Sequence, residues 1–140
     1  MALAAAAAPG PSLISLARPH LAELNRHVGE AAGLSIPDGL DMFYLDQLTP
    51  VSELQVRDWT GTRIPMHAVP SGLVLLAEDD ALATQVTERP LQKFTKQTIT
   101  SAAALRKRLV EVRRDGFAWA FEDFAEGLNS VAAPFRSRDG

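Results

Sequence analysis

The sequence predicts an α+β fold in which helices pack on antiparallel sheet, and three observations carry that expectation. Asp38-Gly39 stands between two apolar runs, Leu34 to Pro37 and Met42 to Leu48, and Asp-Gly in that setting is a strong hairpin signal. Ala102, Leu105, Leu109 and Val112 recur at helical spacing behind a Thr100 or Ser101 cap, the pattern of an amphipathic helix with one buried stripe. Beyond the Asp115-Gly116 stop, Phe117 to Glu122 and Ser130 to Phe135 read as two strands joined by a turn at Gly127. Local hairpins pair antiparallel, and helices set among them belong on the sheet they flank.

The remaining elements follow in chain order. Pro9-Gly10-Pro11 interrupts any helix running out of Ala2 to Ala8, so residues 1–16 are expected to be a disordered Ala/Pro-rich leader. No Lys or Arg precedes the alanine run, which argues against a secretory signal. The first helix is expected from about Arg18, with Pro19 in its first turn, Leu21, Leu24 and Val28 on its apolar face, and Gly29 and Gly33 marking its end. After the hairpin, Thr49-Pro50 breaks the strand, and Leu54, Val56 and Asp58 suggest a third strand ending at a Gly61 turn. A helix over Ser71 to Ala77 is followed by one from Asp79 or Asp80 to about Glu88, where the acidic first turn suits the helix dipole and Pro90 ends it. Gln92 to Thr98 is a polar connection. The order is thus α-β-β-β-α-α-α-β-β in one domain over residues 17–140. Arg138-Asp139-Gly140 is hairpin-turn chemistry with no strand after it, so a final strand and helix are expected to be missing.

Composition narrows the function. The chain has 140 residues, a net charge of −3, 46% hydrophobic and 22% charged residues, the profile of a soluble globular domain. The acidic total argues against direct nucleic-acid binding, which needs a basic surface. The absence of cysteine excludes disulfides, thiolate metal sites and cysteine nucleophiles. No apolar run approaches the roughly 20 residues of a membrane-spanning helix. A cytoplasmic protein that uses no cofactor is expected.

The stretch most suggestive of chemistry is Arg63 to Ala77, RIPMHAVPSGLVLLA. Pro70-Ser71-Gly72 opens an apolar helix, and the backbone N–H groups at such a start attract carboxylates. His67, beside that helix, is read first as a hydrogen-bonded packing residue and second as a ligand contact. His20 and His27 lie seven apart but have no carboxylate at ligand spacing, so no metal site is expected. Arg106, Lys107, Arg108, Arg113 and Arg114 form the solvated face of the amphipathic helix. Glu122, Asp123 and Glu126 read as a surface loop. Trp59 and Trp119 could stack on an aromatic ligand; Trp119 alternates with Phe117 and Phe121 on one strand face, which favours core or interface packing. Ser71 and His67 are four residues apart with no carboxylate to orient the histidine, which weighs against a hydrolase.

Several short motifs occur in one order along the chain: Ala17-Arg18-Pro19-His20-Leu21, Tyr44-Leu45-Asp46, Pro65-Met66-His67-Ala68, Thr98-Ile99-Thr100, Ala104-Leu105, Val112-Arg113 to Gly116-Phe117, and Gly127-Leu128 followed by Val131-Ala132-Ala133-Pro134. In this series the chain resembles the effector-binding domain of the IclR-type (isocitrate lyase regulator) bacterial transcription regulators, with no catalytic role. The resemblance implies a GAF/profilin-like domain with a curved antiparallel sheet and flanking helices. It also implies a pocket for a small organic acid or aromatic effector, and assembly into homo-oligomers or hetero-oligomers with an intact regulator. DNA would be reached only through a helix-turn-helix domain missing here or supplied by a partner. Carried over by position, Leu54, Val56 and Ile64 form the apolar wall, the backbone at Pro70 and Ser71 anchors a carboxylate, and Leu128 and Ser130 line the far side. Two features depart from the pattern. Proline at position 70 has no N–H to donate, and Ala120 stands where some members carry an acidic residue. A more apolar or neutral ligand is therefore expected than a small keto acid. The alternative is a remnant that binds no ligand and pairs with itself or with intact regulators through an unpaired strand edge.

Overall fold

The computed structural model describes residues 10–50 and 57–136. Its order is α1 (Gly10–Val28), β1 (Ala32–Asp38), β2 (Asp41–Leu48), β3 (Arg63–Pro65), a 3-10 turn (Met66–Ala68), α2 (Pro70–Glu78), α3 (Asp80–Thr87), α4 (Ala102–Asp115), β4 (Ala118–Phe121) and β5 (Asn129–Ala132). The class is α+β, as expected. Among the described residues the strands form a three-stranded sheet, β1-β2-β3, and a two-stranded antiparallel sheet, β4-β5. The chain divides into two compact units, one of residues 1–38 and 43–63, the other of residues 39–42 and 64–140.

In the first unit, α1 packs Leu13, Ile14, Ala17 and Leu21 against Ala32 and Leu34 of β1 and Leu45 and Leu48 of β2. This helix starts at Gly10, well before the expected Arg18, so residues 10–16, assigned above to a leader, are helical. Pro11 falls in the first turn, where a missing N–H costs nothing, and so starts the helix instead of breaking it. Pro19 then lies inside the helix. Of the expected apolar face, Leu21 is buried, whereas Leu24 and Val28 are exposed. Arg18 approaches the buried Asp46, Nε to Oδ2 at 3.3 Å, joining α1 to β2. Gly29, at φ 70°, ends the helix as expected.

Gly39, at φ 63°, turns β1 into β2. The expected third strand through Leu54 and Val56 lies outside the described residues, and Asp58 is not in a strand. Strand β3 instead follows the Gly61 turn. Thr60 N–H donates to Asp58 Oδ1 (2.9 Å), Gly61 N–H to Tyr44 O (2.8 Å) and Tyr44 N–H to Thr62 O (3.1 Å). The Thr60 hydrogen bonds hold the Asp58 carboxyl below its ordinary range.

The second unit is built on α2 and α4. Met42, Ile64, Met66, Leu73, Leu76 and Leu105 are its most fully buried large side chains. Ser101 caps α4 by accepting from Ala104 N–H (3.1 Å), and Gly116, at φ 81°, ends it. Leu105, Leu109 and Val112 are buried along its inner face, whereas Ala102 is exposed. Asp79 caps α3 through Leu82 N–H (3.0 Å). Strand β5 ends at Ala132, short of the expected Phe135.

Candidate functional site

Five of the seven expected ligand-binding residues are described, and all five belong to the second unit. Leu54 and Val56 lie outside the described residues. Ile64, in β3, is buried. The chain then passes through the 3-10 turn to an extended Val69 (φ −135°), which stands at the N-cap of α2 without any side-chain cap hydrogen bond. Pro70 occupies the first helical turn and is buried; Ser71 is half-buried. Leu73 N–H donates to Val69 O (3.1 Å), so the helical ladder begins there.

Helix α2 packs on both strands of the β4-β5 hairpin. The register pairs Ala118 with Ala132, Trp119 with Val131, Ala120 with Ser130, and Phe121 with Asn129. Burial alternates, so Ala118 and Ala120 are buried while their neighbours face outward. Ser130 and Ala132, half-buried, share the inner face by register. The hairpin therefore presents small residues where α2 covers it, and Ser130 opposite Ala120 is its one hydroxyl there. Leu128 is half-buried at the base of β5, its carbonyl accepting from Glu122 N–H (2.9 Å). The outer face carries Trp119 (47% exposed) stacked on Phe121 (57%), with ring centroids 5.7 Å apart and planes 7° apart. Core packing of Trp119 is thereby corrected.

Two hollows are distinct in this unit. One, about 50 Å³, is lined by Val74, Ala77, Glu78, Val112, Arg113 and Pro134 among others. The other, about 390 Å³ and open, lies against Gln97, Phe121, Glu122 and Asn129. Neither includes Ile64, Pro70, Ser71, Leu128 or Ser130.

His67 is buried and its Nε2–H donates to the Gln92 carbonyl (2.8 Å), beside the Phe94 ring. That is the packing role expected first. In the first unit, the Arg57 guanidinium lies 4.3 Å from the centre of the Trp59 ring.

Of the acidic residues expected on a surface loop after β4, Glu126 is exposed and Glu122 half-buried, but Asp123 departs from the expectation. Asp123 is 3% exposed. Its Oδ1 accepts from Phe121 N–H (3.0 Å), its carbonyl accepts from Thr98 Oγ1 (2.5 Å), and its Oδ2 lies 3.6 Å from Arg108 Nη2. Burial pushes its carboxyl above the ordinary aspartate range, with Arg108 and the Phe121 N–H pulling the other way. Thr95 Oγ1 donates to the Glu122 carbonyl (2.6 Å), and Phe94 packs on Phe124 with ring centroids 4.7 Å apart. The polar connection is thus a clamp on this loop. The basic face of α4 is also partly committed: Arg108 donates to Trp119 O (2.8 Å), and Arg113 to Ala77 O (2.7 Å) and Asp80 (3.0 Å). Sequence reading missed these contacts because most of them join residues far apart in the chain. The only local hint is Thr95 and Thr98, one turn apart.

Helix α2 packed on a two-stranded hairpin of small residues is an α+β arrangement. The comparisons place it. Residues 6–140 match the family described as bacterial transcriptional regulator IclR C-terminal. The chain belongs to this family, whose members regulate transcription and do not catalyse reactions. It is 35% identical over 124 residues to the HTH-type transcriptional regulator BhcR of Paracoccus denitrificans, covering 87% of this chain and 44% of that protein. It is 37% identical over 122 residues to the HTH-type transcriptional regulator Rv1719 of Mycobacterium tuberculosis, covering 84% and 46%. The chain therefore spans under half the length of these relatives. Among solved structures, a transcriptional regulator from Rhodococcus sp. RHA1 superposes with a TM-score of 0.81 at 35% identity, covering 89% of this chain and 50% of the other. An IclR homologue from Microbacterium hydrocarbonoxydans, solved with 4-hydroxybenzoate, gives 0.83 at 27% identity, covering 91% and 53%.

Proposed function

We propose that this chain forms a cytoplasmic effector-binding and oligomerisation domain. Its occupancy by a small molecule alters how a helix-turn-helix domain, outside this sequence or on a partner chain, holds DNA. The observation that carries the reading is the packing of α2 on β4-β5, where Ala120 pairs with Ser130, in a family that has a 4-hydroxybenzoate-bound member. Ile64, Ser71, Leu128 and Ser130 supply the pocket.

The chemistry at the start of α2 selects the ligand. Proline at position 70 withholds one N–H from a helix start that no side chain caps. Ala120 brings a methyl group, and Ser130 opposite it a hydroxyl that donates or accepts. Such a site favours an aromatic or aliphatic molecule with a neutral hydroxyl or carbonyl over a small keto acid. Calorimetric titration with 4-hydroxybenzoate and its methyl ester tests this, in the wild type and in Pro70→Ala. The ester binds the wild type more tightly, and restoring the N–H in Pro70→Ala shifts the preference toward the acid by about tenfold, the worth of one charge-assisted hydrogen bond. An unchanged preference contradicts the assignment of the helix start.

A second reading, an interaction module that binds no ligand, is favoured by one observation: the outward Trp119, Phe121 and Val131. Self-association that no effector alters supports it.

A further inference from the structure

We infer that Asp123 is a positioning residue for the effector pocket: with Arg108 and Thr98 it fixes the loop between β4 and β5, and so places Leu128 and Ser130. This inference rests on the reading that those two residues line the pocket. Three elements converge on Asp123. Its Oδ1 takes the Phe121 N–H at the end of β4 (3.0 Å), its carbonyl takes the Thr98 hydroxyl (2.5 Å), and its Oδ2 faces the α4 guanidinium of Arg108 at 3.6 Å. The next link is direct. Glu122, held at φ 61° in the left-handed region, donates its N–H to the Leu128 carbonyl (2.9 Å), two residues before Ser130. A left-handed non-glycine residue persists only where its surroundings over-determine it. The Thr95 hydroxyl on the Glu122 carbonyl (2.6 Å) completes that restraint.

Stability alone does not account for a carboxylate here. Asp123 Oδ2 is buried and has no hydrogen-bond partner among the described residues. Buried ion pairs of this kind often contribute nothing net, because desolvation offsets the Coulomb attraction. What the carboxylate does supply is direction. One oxygen accepts from β4 and the other faces the guanidinium on α4, so the loop has one orientation. Asparagine at this position keeps an acceptor for Phe121 N–H but turns an N–H donor toward the Arg108 guanidinium. The loop must then move.

The test compares wild type, Asp123→Asn and Arg108→Lys by titration with 4-hydroxybenzoate and its methyl ester, by thermal unfolding, and by amide exchange without ligand. In Asp123→Asn the melting temperature stays level or rises, the better probe binds at least tenfold more weakly, and the Glu122 amide exchanges at least tenfold faster. Arg108→Lys, which keeps a cation opposite Asp123, binds within threefold of wild type. Asp123→Asn binding within threefold of wild type, with unchanged exchange, overturns the inference. So does a loss of binding that merely follows a lower melting temperature. If wild type binds neither probe, the pocket reading fails first; Glu122 exchange in Asp123→Asn then decides the loop assignment alone.

Discussion

A methyl group on Gly72 would sit 2.2 Å from the Met66 carbonyl oxygen and 2.4 Å from Met66 Cα. Both neighbours are backbone and neither can swing aside, so α2 touches the 3-10 turn through a residue that must lack a side chain. Gly72→Ala is expected to destabilise the protein by about 3 kcal/mol, the upper range for overpacking, seen as a lower denaturation midpoint. Asp123 gives a prediction with a pH sign. Burial raises its carboxyl above the ordinary aspartate range, so the folded state holds the proton more tightly than the unfolded chain does. The stability from that proton is fully present below the unfolded value and is lost as pH rises through the raised one. Asparagine does not titrate. The stability of Asp123→Asn relative to wild type should therefore increase from acidic pH to neutrality, measured by denaturant titration across that range. A difference that shrinks with rising pH would show that Arg108 outweighs burial.

At the scale of elements, helix ends carried readable chemistry and strand positions did so less. Asp79, Ser101 and Gly116 stop or start their helices as their residue types foretell. Ser101→Ala should remove the cap on Ala104 N–H and cost about 1 kcal/mol, read as a lowered melting temperature. Strand β3 escapes sequence reading because Arg63-Ile64-Pro65 is too short to show alternation. Its pairing depends on Tyr44, distant in sequence. Helix α1 was begun too late because Pro11 can break a helix or open one, and only the contact of Leu13 and Ile14 with Ala32 and Leu34 decides. Trp119 and Phe121 alternate as core residues do, yet α2 covers the alanine face instead. Alternation identifies two faces without saying which is inside.

For the whole molecule, the α+β class and the family were legible because ordered motifs span nearly the entire chain, and several prove to be contacts. Arg18 meets Asp46, His67 meets the Gln92 carbonyl, and Thr98 meets the Asp123 carbonyl. The proposed pocket rests on position in the chain alone: Ile64, Pro70, Ser71, Leu128 and Ser130 carry no titratable cluster, and neither hollow of this unit includes them. The central claim, that this domain senses a small molecule of neutral or aromatic character, is tested most directly by thermal unfolding of the full chain against matched carboxylic acids and their neutral esters. A ligand at 100 times its dissociation constant adds about 2.7 kcal/mol, an upward shift of several degrees for a domain of this size. The predicted result is one cooperative transition raised more by the aromatic esters than by their acids. A cooperative transition that no compound moves would contradict it.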